Sequence, residues 1–174
     1  ERTAPRAEDE LPVREAMRRI EAAKALHVSS AAGTDLQVSL EGARVGGVWG
    51  FTTRPGSLSH WPAGLVLAFP AAGSVRGRLV LDRGDVNLTF KRYLQDRVAL
   101  SIEDDHVVAI DGDNVDADLM RGYFEAWGDR SAYAVSHVGW GLNRGARWDA
   151  MTFHDKGDFN GTELRAFAGN FLYS

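Results

Sequence analysis

Between Leu65 and Gly112 the chain is a succession of short apolar runs, "LVLAFP", "SVRGRLVLD", "VNLTF", "RVALSIED" and "HVVAIDG", separated by Gly, Asp and Pro. Runs of this length, rich in β-branched and aliphatic residues and bounded by turn formers, predict a meander of antiparallel strands. "HVSSAAGTDLQVSLEG" adds a turn and a short strand ahead of them, because Leu36, Val38 and Leu40 alternate with polar neighbours. Helical spacing appears on either side. From Pro12 to His27 the residues Val13, Ala16, Met17, Ile20, Ala23 and Leu26 recur at the period of an amphipathic helix. "DNVDADLMRGYFEAWGD" repeats that period through Val115, Leu119, Tyr123, Ala126 and Trp127, with Asp113 or Asn114 as its N-cap. A last strand is expected in "AYAVSHVGWG". Strands in groups, flanked by helices rather than alternating with them, indicate an α+β fold: an antiparallel β-meander or sheet between amphipathic helices.

With 174 residues, 44% of them hydrophobic, the chain has enough apolar material for one domain with a core. No stretch approaches the roughly 18 apolar residues of a membrane span. The net charge of -4 comes from interspersed acids and bases, so no basic run points to nucleic acid or a membrane surface, and a small-molecule partner is expected. The absence of cysteine excludes disulfides, thiolate metal sites and cysteine nucleophiles. A metal would have to be held by His, Asp, Glu or Tyr, a donor set that suits iron, manganese or zinc. "ERTAPRAEDELPV" carries no initiator Met and no apolar signal core, so residues 1–12 read as a linker or a cut end and a cytoplasmic location is expected. "ELRAFAGNFLYS" stops within an apolar alternating run, so residues 13–174 read as a catalytic-type α+β domain incomplete at its C-terminus.

Five histidines are the residues on which chemistry would centre: His27, His60, His106, His137 and His154. His27 is expected at a helix end, where a cation suits the dipole. His106, in "EDDHVV", sits among solvating acids, and His154, in "TFHDKGDFNG", reads as a loop residue. His60 and His137 differ. Each lies in a Trp- and Gly-rich stretch, "VGGVWGFTTRPGSLSHWPAG" and "AVSHVGWGLNRGARW", where the backbone can approach a bound group and water can be excluded. A histidine satisfied by a backbone carbonyl explains either one equally well. A catalytic metal needs about three protein ligands, and the chain has no His-x-His, His-Glu-x-x-His or His-x-Asp. "DGDNVDAD" lacks the Gly and terminal Glu of a calcium loop, no Gly-x-Ser-x-Gly elbow is present, and the paired glycines do not follow dinucleotide-binding order.

Two segments carry a resemblance. "SHWPAGLVLAFPAAGSVRGRLVLDRGD" is similar to the aminopeptidase T-like metallopeptidases, in which a Pro-x-Gly-Glu precedes a short strand and a GSV-x-G turn. "SHVGWGLNRGARWDAMTFHDKGDFNGTELRAFAGNFLYS" resembles the later block of the 2,5-dihydroxypyridine 5,6-dioxygenases, a branch of that superfamily in nicotinate degradation. Where the peptidases carry a metal-binding Glu this chain has Leu65, and where they carry Gly-Glu it has Ser136 and His137. The loss of two carboxylates suits a single metal in the facial arrangement of non-haem Fe(II) oxygenases.

The resemblance implies an enzyme of two domains, of which this chain holds the middle and catalytic part. It implies Fe(II) as cofactor and His137 as the first iron ligand, with Gly139 and Gly141 letting the chain turn beside the metal. The other two ligands would come from a His-x-Asp pair beyond Ser174. The implied reaction opens 2,5-dihydroxypyridine with O2 to N-formylmaleamate, with His60 hydrogen-bonding substrate or oxygen and shuttling a proton. Trp49, Trp61 and Trp140 would form pocket walls, and the enzyme would be a homo-oligomer. The alternative is an aminopeptidase T-like metallopeptidase that releases N-terminal residues.

Overall fold

A computed structural model describes residues 3–174. Helix α1 (Glu10–Ala22) is followed by strands β1 (Ala25–Ser29), β2 (Asp35–Ser39), β3 (Arg44–Val48) and β4 (Leu65–Phe69). Next come β5 (Val75–Leu81), the two-residue strands β6 (Val86–Asn87) and β7 (Arg92–Tyr93), then β8 (Val98–Glu103) and β9 (His106–Asp111). Helix α2 (Val115–Trp127), β10 (Val138–Gly141), the single turn α3 (Thr162–Ala166) and β11 (Leu172–Tyr173) complete the order. The class is α+β, as expected, with every strand pair antiparallel.

The chain divides into two compact units. The second unit, residues 24–42 and 70–136, holds a five-stranded sheet in the order β1-β2-β5-β8-β9 and helix α2. Leu36, Val38, Val75, Leu79, Val98, Leu100 and Ile102 fill its core. Asn114 caps α2 by accepting a hydrogen bond from the Ala117 N–H at 3.0 Å, and Gly128 ends the helix in the left-handed conformation at φ 60°. Within its first turn, Asp116 is 4% exposed, accepts from the N–H groups of Gln95 and Asp96, and pairs with Arg92 at 3.0 Å. Gly77 is required between β2 and β5: its φ is +122°, and a Cβ there would lie 2.3 Å from the Asp35 carbonyl oxygen.

The first unit, residues up to 23, 43–69 and 137–174, contains α1, α3 and a four-stranded sheet ordered β11-β10-β4-β3. Three expectations change here. The apolar period predicts a helix to His27, but α1 stops at Ala22. Leu26 and Val28 instead pair across β1 and β2 with Val38 and Leu36, so cross-strand burial overrides a local helical pattern. His27 therefore lies on a strand, exposed, with Nε2 2.7 Å from Asp35 Oδ1, and not at a helix end. The meander is also broken: β4 pairs with β3 and β10, outside the sheet of β5, β8 and β9. Leu65, Val66 and Ala68 are all buried, the pattern of a central strand covered on both faces. In "VNLTF" only Val86 and Asn87 are paired, because Asn87 Oδ1 turns the chain by accepting from the Phe90 N–H.

Candidate functional site

His137 stands immediately before β10, and its place is set by three neighbouring strands. It exchanges backbone hydrogen bonds with Ser174 at 2.9 and 3.0 Å. On the other side Val138 pairs with Ala68, which sets His137 beside Phe69, and Phe69 pairs in turn with Arg44 on β3. One register row therefore carries Arg44, Phe69, His137 and Ser174. The side chains follow the row: the His137 and Phe69 rings lie 5.3 Å apart at 40°, and the Arg44 guanidinium sits 5.2 Å over the Phe69 ring. Phe69 thus has a cation over its ring and a tilted imidazole beside it.

Strand alternation separates this face from the one that α1 covers. A Cβ at Gly47 would meet Met17 Sδ at 2.5 Å and Val13 Cγ1 at 2.6 Å, so α1 packs on the Gly47 face. A Cβ at Gly46 would meet the Phe69 ring at 3.5 Å, so the His137 face is the opposite one. Trp140, three residues from His137, is directed to the α1 side with Val66, its β4 partner.

Gly139 and Gly141 do not turn the chain as expected; both lie within extended β10. They are required for close approach. A Cβ at Gly139 would lie 2.3 Å from the Val66 carbonyl oxygen, and one at Gly141 would lie 2.1 Å from that of Phe167 and 2.4 Å from that of Ala166. The end of α3 thus packs backbone to backbone against β10 on the His137 face. Asn170 holds it there: Oδ1 accepts from the Gly141 N–H at 2.5 Å, while Nδ2 donates to the carbonyls of Leu164 and Arg165 at 2.9 and 3.1 Å.

This packing brings Arg165 into electrostatic range of His137. Partial burial is the larger cause that holds the His137 imidazole below its ordinary value of 6.5, and the Arg165 charge is the second. The ring is consequently neutral at pH 7, with a nitrogen lone pair suited to a divalent cation. Burial also lowers the pKa of Arg165, which stays charged.

The other sequence-predicted residues are elsewhere. His60 and Trp61, the latter 53% exposed, lie in the long β3–β4 connection, and among the described residues His60 makes no hydrogen bond, ion pair or ring contact. That connection joins the ends of β3 and β4 away from the Arg44 and Phe69 row. Trp49 lies under the Arg14 guanidinium at 4.7 Å. His106 Nδ1 is 2.6 Å from the Asp104 carbonyl oxygen, and exposed His154 stacks on Phe159 at 5.6 Å. A depression of about 440 Å³ on the five-stranded sheet is lined by Asp35, Gln37, Arg76, Gly77, Ser101, Ile102 and Glu103, none of them a predicted site residue. Among the described residues no group of three or more His, Asp or Glu is placed to hold a metal ion. Arg44, Phe69, Arg165 and Asn170 carry no local sequence signal, because their association depends on strand register and on the seating of α3.

The fold is an α+β enzyme framework in which His137 is presented from the start of β10. A model of the family described as NicX: 2,5-dihydroxypyridine 5,6-dioxygenase matches residues 1–174, and the chain belongs to that family. The 2,5-dihydroxypyridine 5,6-dioxygenase of Pseudomonas putida KT2440 is 38% identical over 173 residues, covering 99% of this chain and 49% of that protein. A solved structure of 2,5-dihydroxypyridine dioxygenase from the same organism superimposes with a TM-score of 0.94 at 38% identity, over 99% of this chain and 49% of that one. AmpT from Thermus thermophilus shares the fold, with a TM-score of 0.65 at 20% identity over 99% of this chain and 42% of that one. The chain spans about half the length of these relatives.

Proposed function

We propose that this chain is the His137-bearing part of a non-haem Fe(II) dioxygenase that opens 2,5-dihydroxypyridine with O2 to N-formylmaleamate. Family membership over the whole chain is the observation that carries this reading. His137 suits Fe(II) as one ligand of several: a neutral nitrogen donor, half-buried, on a backbone held by Ser174. The remaining ligands would come from outside these 174 residues. Held by His137 and ligands outside these residues, Fe(II) would supply redox chemistry between an electron-rich ring and O2 without a separate reductant.

The chain's own residues prepare that site. Phe69 packs its ring beside that of His137. Asn170 fixes the end of α3 against Gly141 in the strand that follows His137. His60, on the β3–β4 connection away from the Arg44 and Phe69 row, is proposed to reach the substrate only in the complete protein, there to hydrogen-bond it and carry a proton. The complete protein is proposed to act in the cytoplasm as a homo-oligomer on a small aromatic N-heterocycle, without nucleic acid or membrane. Among the described residues no helix is long and apolar enough to cross a membrane.

The test uses the full-length protein loaded anaerobically with Fe(II). It should consume O2 with 2,5-dihydroxypyridine, and His137→Ala should lose both iron and activity. His60→Ala should keep its iron and lose turnover by on the order of 10²- to 10⁴-fold. Hydrolysis of leucine amide with zinc or cobalt, without oxidation of the pyridine, would instead establish the peptidase reading.

A further inference from the structure

The turn that leads into α3 carries the dipeptide Asn160-Gly161, in "HDKGDFNGTEL". Its residues and geometry assemble the parts of an intramolecular acyl transfer. Asn160 is exposed, and Gly161 follows it in the left-handed conformation at φ 77°. A glycine nitrogen approaches the preceding side chain with no Cβ in the way, on a backbone that rotates readily. The Thr162 N–H donates to Asn160 Oδ1 at 2.9 Å. This Asx turn holds Cγ beside the backbone that follows it, and it places a donor where negative charge develops when Cγ is attacked. Among the described residues neither the Gly161 N–H nor Asn160 Nδ2 donates a hydrogen bond, so the attacking and the leaving nitrogen are both untethered.

The other four asparagines lack this combination. Asn87, Asn114, Asn143 and Asn170 precede Leu88, Val115, Arg144 and Phe171, whose side chains crowd the attacking nitrogen. Three of them also have the leaving nitrogen tied. Asn114 Nδ2 donates to the Arg97 carbonyl, Asn143 Nδ2 to that of Ala63, and Asn170 Nδ2 to those of Leu164 and Arg165.

We propose that Asn160 is a site of spontaneous covalent modification, converting to aspartate and isoaspartate through a succinimide. The Gly161 nitrogen bonds to Asn160 Cγ and gives up its proton, the Cγ–Nδ2 bond breaks, and Nδ2 leaves with that proton as ammonia. Water then opens one of the two imide carbonyls. Opening at Cγ gives aspartate; opening at the main-chain carbonyl gives isoaspartate, in which the chain runs through Cγ. The net change is amide and water to carboxylic acid and ammonia. The two products act differently on α3. Aspartate keeps an acceptor for the Thr162 N–H and adds a negative charge to the residue whose carbonyl accepts from Arg165 Nη1 at 2.9 Å. Isoaspartate inserts a methylene into the main chain next to buried Gly161, immediately before α3. The helix then loses its fit against β10, where Ala166 and Asn170 meet Gly141.

The experiment ages the full-length protein at mildly alkaline pH, native and urea-unfolded. It follows each asparagine by peptide mass and isoaspartate content, and reads amide hydrogen exchange on the aged native protein. In the native protein Asn160 should lose its amide before the other four asparagines. The isoaspartate form should exchange the Gly141 N–H faster by on the order of 10-fold, the equivalent of losing one hydrogen bond. Asn160→Ser keeps an oxygen acceptor for Thr162, cannot form the imide and should age without change. Asn160→Asp should match fresh wild type in Gly141 exchange, because it carries the charge without the longer chain. Amide loss at Asn160 in the unfolded protein but not in the native one overturns the proposal, since the fold would then protect the side chain. Gly141 exchange that stays equal in fully converted wild type and aged N160S overturns the effect assigned to isoaspartate.

Discussion

Asn170 Oδ1 accepts the Gly141 N–H at 2.5 Å, and through its amide nitrogen Asn170 ties the last carbonyls of α3 to the strand that follows His137. Asn170→Ala leaves the Gly141 N–H and two carbonyls without these partners and should cost about 1–3 kcal/mol, read from urea unfolding. Asn170→Asp keeps the acceptor and loses the donor, so it should recover only part of that loss. Stability equal to wild type in both variants would show that α3 is seated by apolar packing alone.

Two glycines separate close approach from backbone freedom. Gly141→Ala drives a methyl into the Ala166 and Phe167 carbonyls, backbone that cannot swing aside, and should cost about 3 kcal/mol. Gly122 lies within α2 with nothing within 4 Å of its added Cβ, so Gly122→Ala should stabilise by about 0.5–1 kcal/mol. Thermal unfolding of the pair checks both signs, and a stable Gly141→Ala would refute the packing described for α3.

The depressed pKa of His137 gives a pH dependence of definite sign. Between the folded value and the ordinary 6.5, the unfolded chain binds a proton that the folded chain excludes, so stability rises with pH across that window. The contribution is full above about 6.5 and is lost as the pH falls toward the folded pKa. In metal-free protein, the His137 ring resonances should titrate below 6.5. Arg165→Gln should move the midpoint up without restoring it fully, because burial is the larger cause. A midpoint unchanged by that substitution would place the Arg165 charge out of reach of the ring.

Asp116 is buried in the first turn of α2, where it answers two N–H groups and one guanidinium. Asp116→Ala leaves Arg92 and both donors without their acceptor and should cost about 3 kcal/mol, with α2 more open to amide hydrogen exchange. Loss confined to the exchange of residues 95 and 96, with global stability intact, would mean that the carboxylate orders only its local loop.

Much of this protein is legible locally. Helix α2 begins at Asn114 and ends at Gly128 because an Asx side chain and a left-handed glycine act within a few residues of themselves. Strands β5, β8 and β9 follow their apolar runs, since alternation and flanking turn residues are local too. His137 is conspicuous in the sequence for its Gly-Trp-Gly context, and the family is recognisable from the segments around it. Tertiary structure decided the rest. Leu26 fits a helical period as well as a strand, and only its pairing with Val38 selects the strand. "LVLAF" reads as one more strand of a meander, but burial on both faces draws it between β3 and β10. The same pairing assembles Arg44, Phe69 and His137 from three separate parts of the chain, and Asn170 ties the end of α3 to β10. Register and packing join residues that are far apart in sequence, so the surroundings of the imidazole leave no local pattern to read.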